Sequence, residues 1–258
     1  MSLTPAMKTK GEPRPAAGRP RSASALEALP DALLSSHATL LRTRLGQALA
    51  LSLDRGETAF IVGAGTLSVR VALAGTSCQA VALLFPGDVF RSGFVPPNAK
   101  AALVSGARAE VRRLRMSALE GLAARDASVA RFVHQALANQ IARSAIHTVM
   151  LGQFDCEQRV ATFLVELALR TGTQLPGGIA FDVPLARTDA AFYLGLNPDT
   201  LSRVMSRLRA KGIFSRDGRS QILLRDFDAL AALTPAAQAL AEMHSDRGAL
   251  AGSGEALP

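Results

Sequence analysis

Short apolar segments separated by glycines dominate residues 47–115 of the chain. The segments are ALALSL, AFIV, LSVRVAL, AVALLF and AALVSG, and glycines punctuate them at positions 56, 63, 65, 75, 87 and 93. Apolar runs of this length between turn residues are typical of β-strands, and several in succession indicate an antiparallel sandwich or barrel. We therefore expect a β-roll in the first half of the chain, preceded by a short helical piece at residues 26–34.

The period of the apolar positions changes after residue 115. A short helical piece is predicted at residues 117–124, and a long helix at about residues 126–151, because the apolar and small positions there follow a three-four repeat. A stripe of this length packs either on the chain's own sheet or on a second copy of the same helix. We expect the second copy, with a dimer interface formed by Val133, Leu137, Ile141 and Ser144.

A sharp change of direction is predicted in the stretch YLGLNPDTLSR, residues 193–203. Gly195 ends one helix because glycine readily adopts a positive φ, Asn197 caps the next helix, and Pro198 occupies its first position. Two further strands, GIFSR and RSQILL, are joined by Asp217 and Gly218, a pair typical of tight hairpins. A helix-turn-helix followed by a hairpin is a winged helix, whose second helix enters the major groove of DNA.

The second helix of this unit carries a polar and basic face. Residues 187–219 contain seven basic side chains against three acidic ones. An ordinary helical hairpin in a core is the alternative, but such a hairpin needs no basic face. We predict that the N-terminal half of the helix reads base edges through Asp199, Ser202 and Arg203. Contacts to DNA phosphates are predicted for Arg207, Arg209, Arg216 and Arg219.

The charge of the whole chain agrees with an anionic partner. The formal net charge is +8, and half of this excess lies in the first 21 residues, a Pro- and Ala-rich stretch expected to be disordered. No apolar run approaches the roughly 20 residues of a membrane span, and no signal-peptide block is present. We therefore expect a cytoplasmic protein with no membrane partner.

Residues able to support catalysis or metal binding are sparse in the sequence. Cys78 and Cys156 are the only cysteines, too few for a disulfide framework or an iron-sulfur cluster. No nucleophile and base stand at a usable spacing, and the four histidines lie far apart. We expect no enzyme activity, no metal and no cofactor.

In its order of elements the chain resembles the Crp/Fnr family of dimeric bacterial transcription regulators. The resemblance covers roughly residues 26–235 and rests on FPGDVF, EQRVATFLVELA and YLGLNPDTLSRVMSRLRAKGIF. DTLSR is similar to the Glu-x-x-Ser-Arg signature of the FNR and FixK branches, with Asp199 in place of Glu. The resemblance implies an α+β fold with an N-terminal antiparallel β-roll of the cyclic-nucleotide-binding type, a long dimerisation helix and a C-terminal winged helix-turn-helix. It further implies a homodimer on palindromic double-stranded DNA with TTGAT-like half-sites, and RNA polymerase as a partner.

The signal that the roll would sense does not follow from the family's known motifs. Cyclic-AMP-binding members carry a Gly-Glu pair and a later Arg-Ser or Arg-Thr, which bind the ribose and the phosphate. In this chain Arg91 and Ser92 follow Asp88 too closely to complete the phosphate site. Iron-sulfur members need an N-terminal cysteine group, and haem-binding members carry a Cys and a His near the position of Arg91. We expect DNA binding to be controlled through the roll or through the redox state of Cys156. That cysteine could also be a small residue that fills space at the hinge between the long helix and the winged helix domain. The alternative is a cyclic-nucleotide-type ligand-binding module whose DNA contact is secondary.

The predicted organisation has five parts along the chain. They are a disordered basic tail at residues 1–25, the sensor roll at 26–115, linking and dimerisation helices at 116–152, the winged helix-turn-helix domain at 153–235, and a flexible tail at 236–258.

Overall fold

The computed structural model describes residues 36–51, 56–217 and 220–244 of the chain. The predictions of a basic tail at residues 1–25 and of a helical piece at 26–34 lie outside these ranges, as does the wing-tip residue Arg219.

The N-terminal roll is made of two antiparallel sheets. Their orders are β1-β8-β3-β6 and β2-β7-β4-β5. A single 3₁₀ turn at Ser92–Phe94 interrupts the described strand succession. The strands are β1 (Thr39–Thr43), β2 (Ala48–Leu49), β3 (Thr58–Ala64), β4 (Leu67–Ala72), β5 (Gln79–Leu84), β6 (Val89–Arg91), β7 (Lys100–Ser105) and β8 (Ala109–Arg115).

The core of the roll lies between the two sheets. Successive residues of a strand point to opposite faces, so Phe60 and Val62 of β3 face the second sheet, whereas Ala59 and Ile61 face away from it. The second sheet contributes the fully buried side chains of Leu67, Leu84 and Leu103. Burying one such side chain stabilises the fold by about 1.5–3 kcal/mol.

Two helices cover the outer face of the first sheet. They are α1 (Met116–Arg125) and α2 (Ala127–Gln153), and their apolar residues pack against Ile61 and its neighbours. Asp126 caps α2, because its carboxylate accepts a 2.7 Å hydrogen bond from the backbone N–H of Ser128. With 27 residues, α2 is about 40 Å long.

The C-terminal domain is built around one buried helix and a small sheet. Its helices are α3 (Cys156–Thr171), α4 (Arg187–Tyr193), α5 (Pro198–Ala210), α6 (Phe227–Ala231) and α7 (Ala237–His244). Its strands are β9 (Thr173–Leu175), β10 (Gly178–Asp182), β11 (Phe214–Asp217) and β12 (Gln221–Leu224), in the order β11-β12-β10-β9. A reciprocal capping box of Asp155 and Gln158, with bonds of 2.9 and 3.0 Å, starts α3.

The two domains share one hydrophobic cluster. Val160, Leu164 and Leu167 of α3 are at most 1% exposed within it. Ala80 and Phe85 of the roll belong to the same cluster. The roll therefore packs directly on the C-terminal domain in this conformation.

The structure differs from the sequence predictions at the C-terminal end and at four strands. Residues 237–244 were expected in a flexible tail but form α7, in which Leu240 is 1% exposed. Alanine favours helix strongly, and Leu240 packs into the hydrophobic cluster of the C-terminal domain. The strands β1 and β9 were also missed, because β1 has only half-buried or exposed apolar residues and β9 is exposed throughout. Within the predicted roll, β6 and β8 were not named as segments, because β6 has three residues and charged side chains interrupt the apolar positions of β8.

Candidate nucleic-acid interface

A tight corner joins α4 to α5. Gly195 has a φ of +62°, and a Cβ at this position would lie only 3.0 Å from Nη1 of Arg159. The buried residues Leu194 and Leu196 on either side anchor the turn. The backbone N–H of Leu196 donates a 2.8 Å hydrogen bond to the carbonyl of Ala191. The corner thus has a fixed geometry, as the sequence predicts.

The ends of α5 are closed by local interactions. The Oδ1 atom of Asn197 accepts a 2.8 Å bond from the N–H of Asp199, and Pro198 fills the first position, where no N–H is needed. At the other end Gly212 has a φ of +74°, and the N–H of Ile213 reaches the carbonyl of Leu208 at 3.2 Å. This is a Schellman termination, which directs the chain into the wing strand β11.

One arginine fixes the corner relative to the long helix, and sequence reasoning missed it. Arg159 of α3 donates to the carbonyls of Leu151 at 2.9 Å and Phe154 at 2.9 Å, at the end of α2. Its Nη1 also donates to the carbonyls of Leu194 and Gly195, at 3.2 and 3.3 Å. The only signal for this role is its place in the stretch EQRVATF, which does not reveal the distant partners.

The face of α5 that is open to solvent carries charged side chains. Leu201, Val204 and Leu208 form the buried face of this helix. Asp199, Arg203 and Arg207 are exposed away from that face. The side chains of Arg203 and Arg207 have no hydrogen-bond or ion-pair partner within the part of the chain that the structure describes. Their guanidinium groups are therefore available to an external acceptor.

The other predicted contact residues lie in different surroundings. Ser202 is half-buried, and its hydroxyl donates a 2.9 Å bond to the carbonyl of Pro198. Arg209 is exposed but lies on the side of α5 that lines a cavity shared with the roll, and Arg216 on β11 lines the same cavity. The structure thus brings Asp199 and Arg203 together on one face, with Ser202 at its edge.

The four residues predicted to form the dimer interface on α2 also lie in different surroundings. Val133 and Leu137 are half-buried and pack partly against the chain's own roll. Ile141 is 72% exposed, and Ser144 is exposed as well. Val149 at 51% continues this exposed stretch toward the corner. An apolar surface is therefore uncovered in the C-terminal half of α2.

Buried charges join the roll, α2 and α3. Asp88 follows β5, and its side chain is 3% exposed. Its Oδ2 atom accepts a 2.6 Å bond from Nη2 of Arg143 on α2, and its Oδ1 accepts a 3.1 Å bond from Nη2 of Arg170 on α3. Glu166 lies 3.6 Å from Nε of Arg143, and burial raises the pKa of this carboxyl. Sequence reasoning missed the network, because its members are 55 and 82 residues apart in the chain.

The Arg91-Ser92 dipeptide is engaged within the roll. The guanidinium of Arg91 donates to both carboxylate oxygens of Glu57, at 3.1 and 3.0 Å, and this pair lowers the pKa of Glu57. The same carboxylate accepts a 3.2 Å bond from the N–H of Gly93. Ser92 accepts a 2.9 Å bond from the N–H of Thr58 through its hydroxyl. The chain's own carboxylate therefore occupies the groups that an anionic ligand would need at this turn.

Neither Cys78 nor Cys156 forms a disulfide. Cys156 is half-buried at the first position of α3, and Cys78 is exposed. Among the residues that the structure describes, no group of three His, Cys, Asp or Glu side chains is placed to hold a metal ion. Within the same ranges, no helix is both long enough and apolar enough to cross a lipid bilayer.

The fold and this surface together define a class of protein: a winged helix-turn-helix DNA-binding protein with an N-terminal β-roll. Residues 158–233 match the Crp-like helix-turn-helix domain. The nitrogen fixation regulation protein FixK of Azorhizobium caulinodans is 28% identical over 177 residues, which cover 67% of this chain and 70% of that protein. The FixK of Rhizobium meliloti is 37% identical over 81 residues, but the match spans only 36% of that relative.

A solved structure extends the similarity to both domains. The structure of FixK2 from Bradyrhizobium japonicum superimposes with a TM-score of 0.64 and 30% sequence identity, over 76% of this chain and 97% of that one. The chain belongs to the Crp/Fnr family of DNA-binding transcription regulators, in its FixK-like branch. The predicted family and the predicted α+β fold class are confirmed.

Proposed function

We propose that the protein acts as a homodimer that binds a palindromic DNA element with TTGAT-like half-sites and controls transcription through its β-roll or its redox state. The observation that carries this proposal is the open face of α5, where Asp199, Arg203 and Arg207 are exposed beside one another. Such a face at the second helix of a helix-turn-helix is the surface that enters the major groove.

Base readout is assigned to the N-terminal half of α5. Arg203 can donate two hydrogen bonds to O6 and N7 of guanine, a pairing worth about 1–3 kcal/mol of discrimination. Asp199 can accept from a cytosine amino group. Because the hydroxyl proton of Ser202 is directed to Pro198, Ser202 is left to accept from a base rather than to donate. Pro198 offers only apolar contact, suited to a thymine methyl group.

Phosphate contacts are assigned to Arg207 at the C-terminal end of this face and to arginines that flank the face. Arg207 follows Arg203 by one helical turn and is exposed. Arg216 is exposed on the wing strand, and Arg209 lies on the side of α5 that faces the roll. Together with Arg219 these side chains would hold the protein on the duplex without reading its sequence.

Dimerisation is assigned to α2. Ile141 and Ser144 belong to the uncovered half of this helix, and Val133 and Leu137 continue the stripe on the half that is partly packed on the roll. A two-fold pair of α2 helices would bury Ile141 against its own copy. Two winged helices related by that axis match a palindrome, since half-site symmetry mirrors the symmetry of the protein.

Contacts between the two domains provide a route by which the roll would control DNA binding. Arg159 and the Asp88 network connect the roll, the long helix and the corner before α5, so a change in the roll can reach the DNA-binding helix. Cys156 begins α3 beside this hinge, which makes it the candidate for a redox effect. RNA polymerase is the partner through which a DNA-bound regulator would act. Because Glu57 holds Arg91, cyclic nucleotide binding is the weaker alternative.

Competition binding tests the proposed function directly. A fluorescent duplex carrying a TTGAT-type palindrome is bound by the protein and challenged with unlabelled palindrome, with a single half-site and with a scrambled duplex. We expect the palindrome to compete best and the scrambled duplex to compete worst. Equal competition by all three duplexes would contradict the proposal of a palindromic site.

A further inference from the structure

A large cavity lies between the roll and the winged helix domain, beside the region where the two domains pack together. Its volume is about 760 Å³, within the range of roughly 300–1,000 Å³ that small-molecule sites occupy. The buried side chains of Phe163, Leu164, Leu185 and Phe214 contribute apolar lining. The cavity lies beside the open face of α5 that carries Asp199, Arg203 and Arg207, and none of these three residues lines it.

The roll provides one wall of the cavity and approaches the other domain closely. Leu45, Gly106 and Ala107 belong to this wall. A Cβ built on Gly106 would lie only 2.4 Å from the carbonyl oxygen of Pro184. The absence of a side chain at position 106 therefore permits the two domains to meet at this edge.

Polar contacts hold the two domains together beside the cavity. Arg70 of β4 pairs with Asp189 of α4 at 2.8 Å, and both side chains are about three-quarters buried. The side-chain amide of Gln79 donates a 3.1 Å bond to the carbonyl of Phe192. These bonds link the roll to the first helix of the helix-turn-helix.

The charged groups at the cavity favour an anion. Arg187, Arg209 and Arg216 line it, and none of them has an ion-pair partner among the described residues. Asp182 is the acidic side chain in the lining, and its Oδ1 accepts a 3.0 Å bond from the hydroxyl of Ser220. Three unpaired guanidinium groups over an apolar floor are complementary to an organic anion with an apolar body.

The cavity uses part of the surface that is assigned to DNA. Ser202, Ser206 and Arg209 stand at spacings of four and three residues on α5, so they share one face of the helix, and all three line the cavity. Ser202 is assigned to base readout and Arg209 to the phosphate backbone. A molecule in the cavity and a DNA duplex would therefore compete for the same side chains.

We propose that this cavity is an effector site for a small amphipathic organic anion, such as an aromatic or long-chain carboxylate, which holds the roll against α5 and opposes DNA binding. The regulatory part of this inference rests on the proposed function, whereas the binding part rests on the cavity alone. A ligand that binds the closed arrangement better than the open one shifts the population toward it.

The probe for the test is 8-anilinonaphthalene-1-sulfonate, an apolar aromatic sulfonate that fluoresces when it is bound. We expect saturable binding to the full-length protein. Ala107→Trp fills the cavity from the roll side without altering a residue assigned to DNA, and it should weaken probe binding about tenfold or more, which corresponds to about 1.4 kcal/mol. Ala124→Trp, on an exposed alanine of α1 outside the cavity, is the matched control and should bind the probe like the wild type. Equal probe binding by both tryptophan variants would overturn the assignment of the site.

The anion requirement is tested with a second variant and a neutral probe. Arg187→Gln should weaken binding of the sulfonate but leave the binding of neutral N-phenyl-1-naphthylamine unchanged. Equal loss of both probes would contradict the proposed ligand class. Circular dichroism and melting temperature must match those of the wild type, so that a misfolded variant is not scored as a loss of binding.

Competition with DNA tests the regulatory part. Palindromic DNA should displace the sulfonate from the wild type, and saturating sulfonate should weaken DNA binding by the wild type but not by Ala107→Trp. DNA affinity that stays unchanged while the probe is bound would overturn this part. If the wild type binds no palindrome even without the probe, the proposed function fails, while the probe titrations still decide whether the cavity binds an anion.

Discussion

Replacing Asp88 by asparagine removes the negative charge that two buried arginines share. In the wild type this carboxylate accepts hydrogen bonds from Arg143 at 2.6 Å, from Arg170 at 3.1 Å and from the N–H of Phe85 at 2.8 Å. The asparagine has nearly the same shape, so the change leaves no large cavity. It does leave the positive charges on Arg143 and Arg170 with Glu166 as the one remaining acidic side chain close to both among the described residues.

The size of the effect follows from the burial of these groups. The side chains of Asp88, Arg143 and Arg170 are 3%, 8% and 13% exposed, so water cannot replace the lost partner. Breaking a buried ion pair by removing one partner typically costs about 3–5 kcal/mol. Nη1 of Arg143 already lacks a hydrogen-bond partner within the described residues, which leaves little capacity to absorb a further loss. We expect Asp88→Asn to lower the free energy of unfolding by about 3–5 kcal/mol.

Urea unfolding at pH 7, followed by circular dichroism, measures this change. The matched control is Glu110→Gln, which removes a carboxylate from a pair with Arg42 whose side chains are 77% and 45% exposed. Exposed pairs of this kind contribute about 0–1 kcal/mol, so the control should change little. An Asp88→Asn protein that loses no more stability than Glu110→Gln would refute the argument that this network holds the roll on α2 and α3.

Three further predictions concern association, pH and ligand choice. Ile141→Asp should abolish dimers in sedimentation and weaken DNA binding strongly, because it places a charge on the uncovered stripe of α2. Leu137→Asp should have a similar effect. Unchanged sedimentation of both variants would show that the interface lies elsewhere. Burial lowers the pKa of His147, which stacks on Tyr193, to about 4. Between about pH 6.5 and pH 4 this histidine is therefore protonated in the unfolded chain but neutral in the folded protein. The free energy of unfolding should fall as the pH drops through this range. His147→Gln should reduce this dependence, and identical pH profiles would argue against the assignment. Cyclic AMP should not bind measurably in calorimetric titration, because Glu57 already holds the guanidinium of Arg91; binding in the micromolar range that tightens DNA affinity would contradict this.

Local signals made the helix-turn-helix predictable from the sequence. Gly195, Asn197 and Pro198 act within a few residues of their own positions, so their roles follow from backbone preferences alone. The structure places a positive φ, a side-chain cap and the first turn of α5 at these three residues. The presence of a strand-rich half was predictable for the same reason, since short apolar runs and glycine punctuation are local patterns.

Contacts between distant parts of the chain were not predictable. The roles of Asp88 and Arg159 depend on partners that only the folded chain brings into hydrogen-bonding distance. Arg143 lies 2.6 Å from Asp88, and the carbonyls of Leu194 and Gly195 lie 3.2 and 3.3 Å from Arg159. The helix α7 was missed because its Ala-rich stretch contains a single large apolar anchor, Leu240. Likewise, Ser202 was assigned to DNA from its helix position, but the proximity of the roll to that side of α5 has no signal in the sequence.

The central claim is that Arg203 reads a base while the flanking arginines hold the phosphates, and single-base competition tests it most directly. Affinities of the wild type, Arg203→Ala and Arg216→Ala are measured against a TTGAT-type palindrome and every single-base variant of its half-site, at two salt concentrations. Arg203→Ala should lose about 1–3 kcal/mol for the palindrome and lose its preference at one base pair. Arg216→Ala should weaken binding to all duplexes alike and reduce the dependence on salt. An Arg203→Ala protein that retains full discrimination at every position would contradict the account.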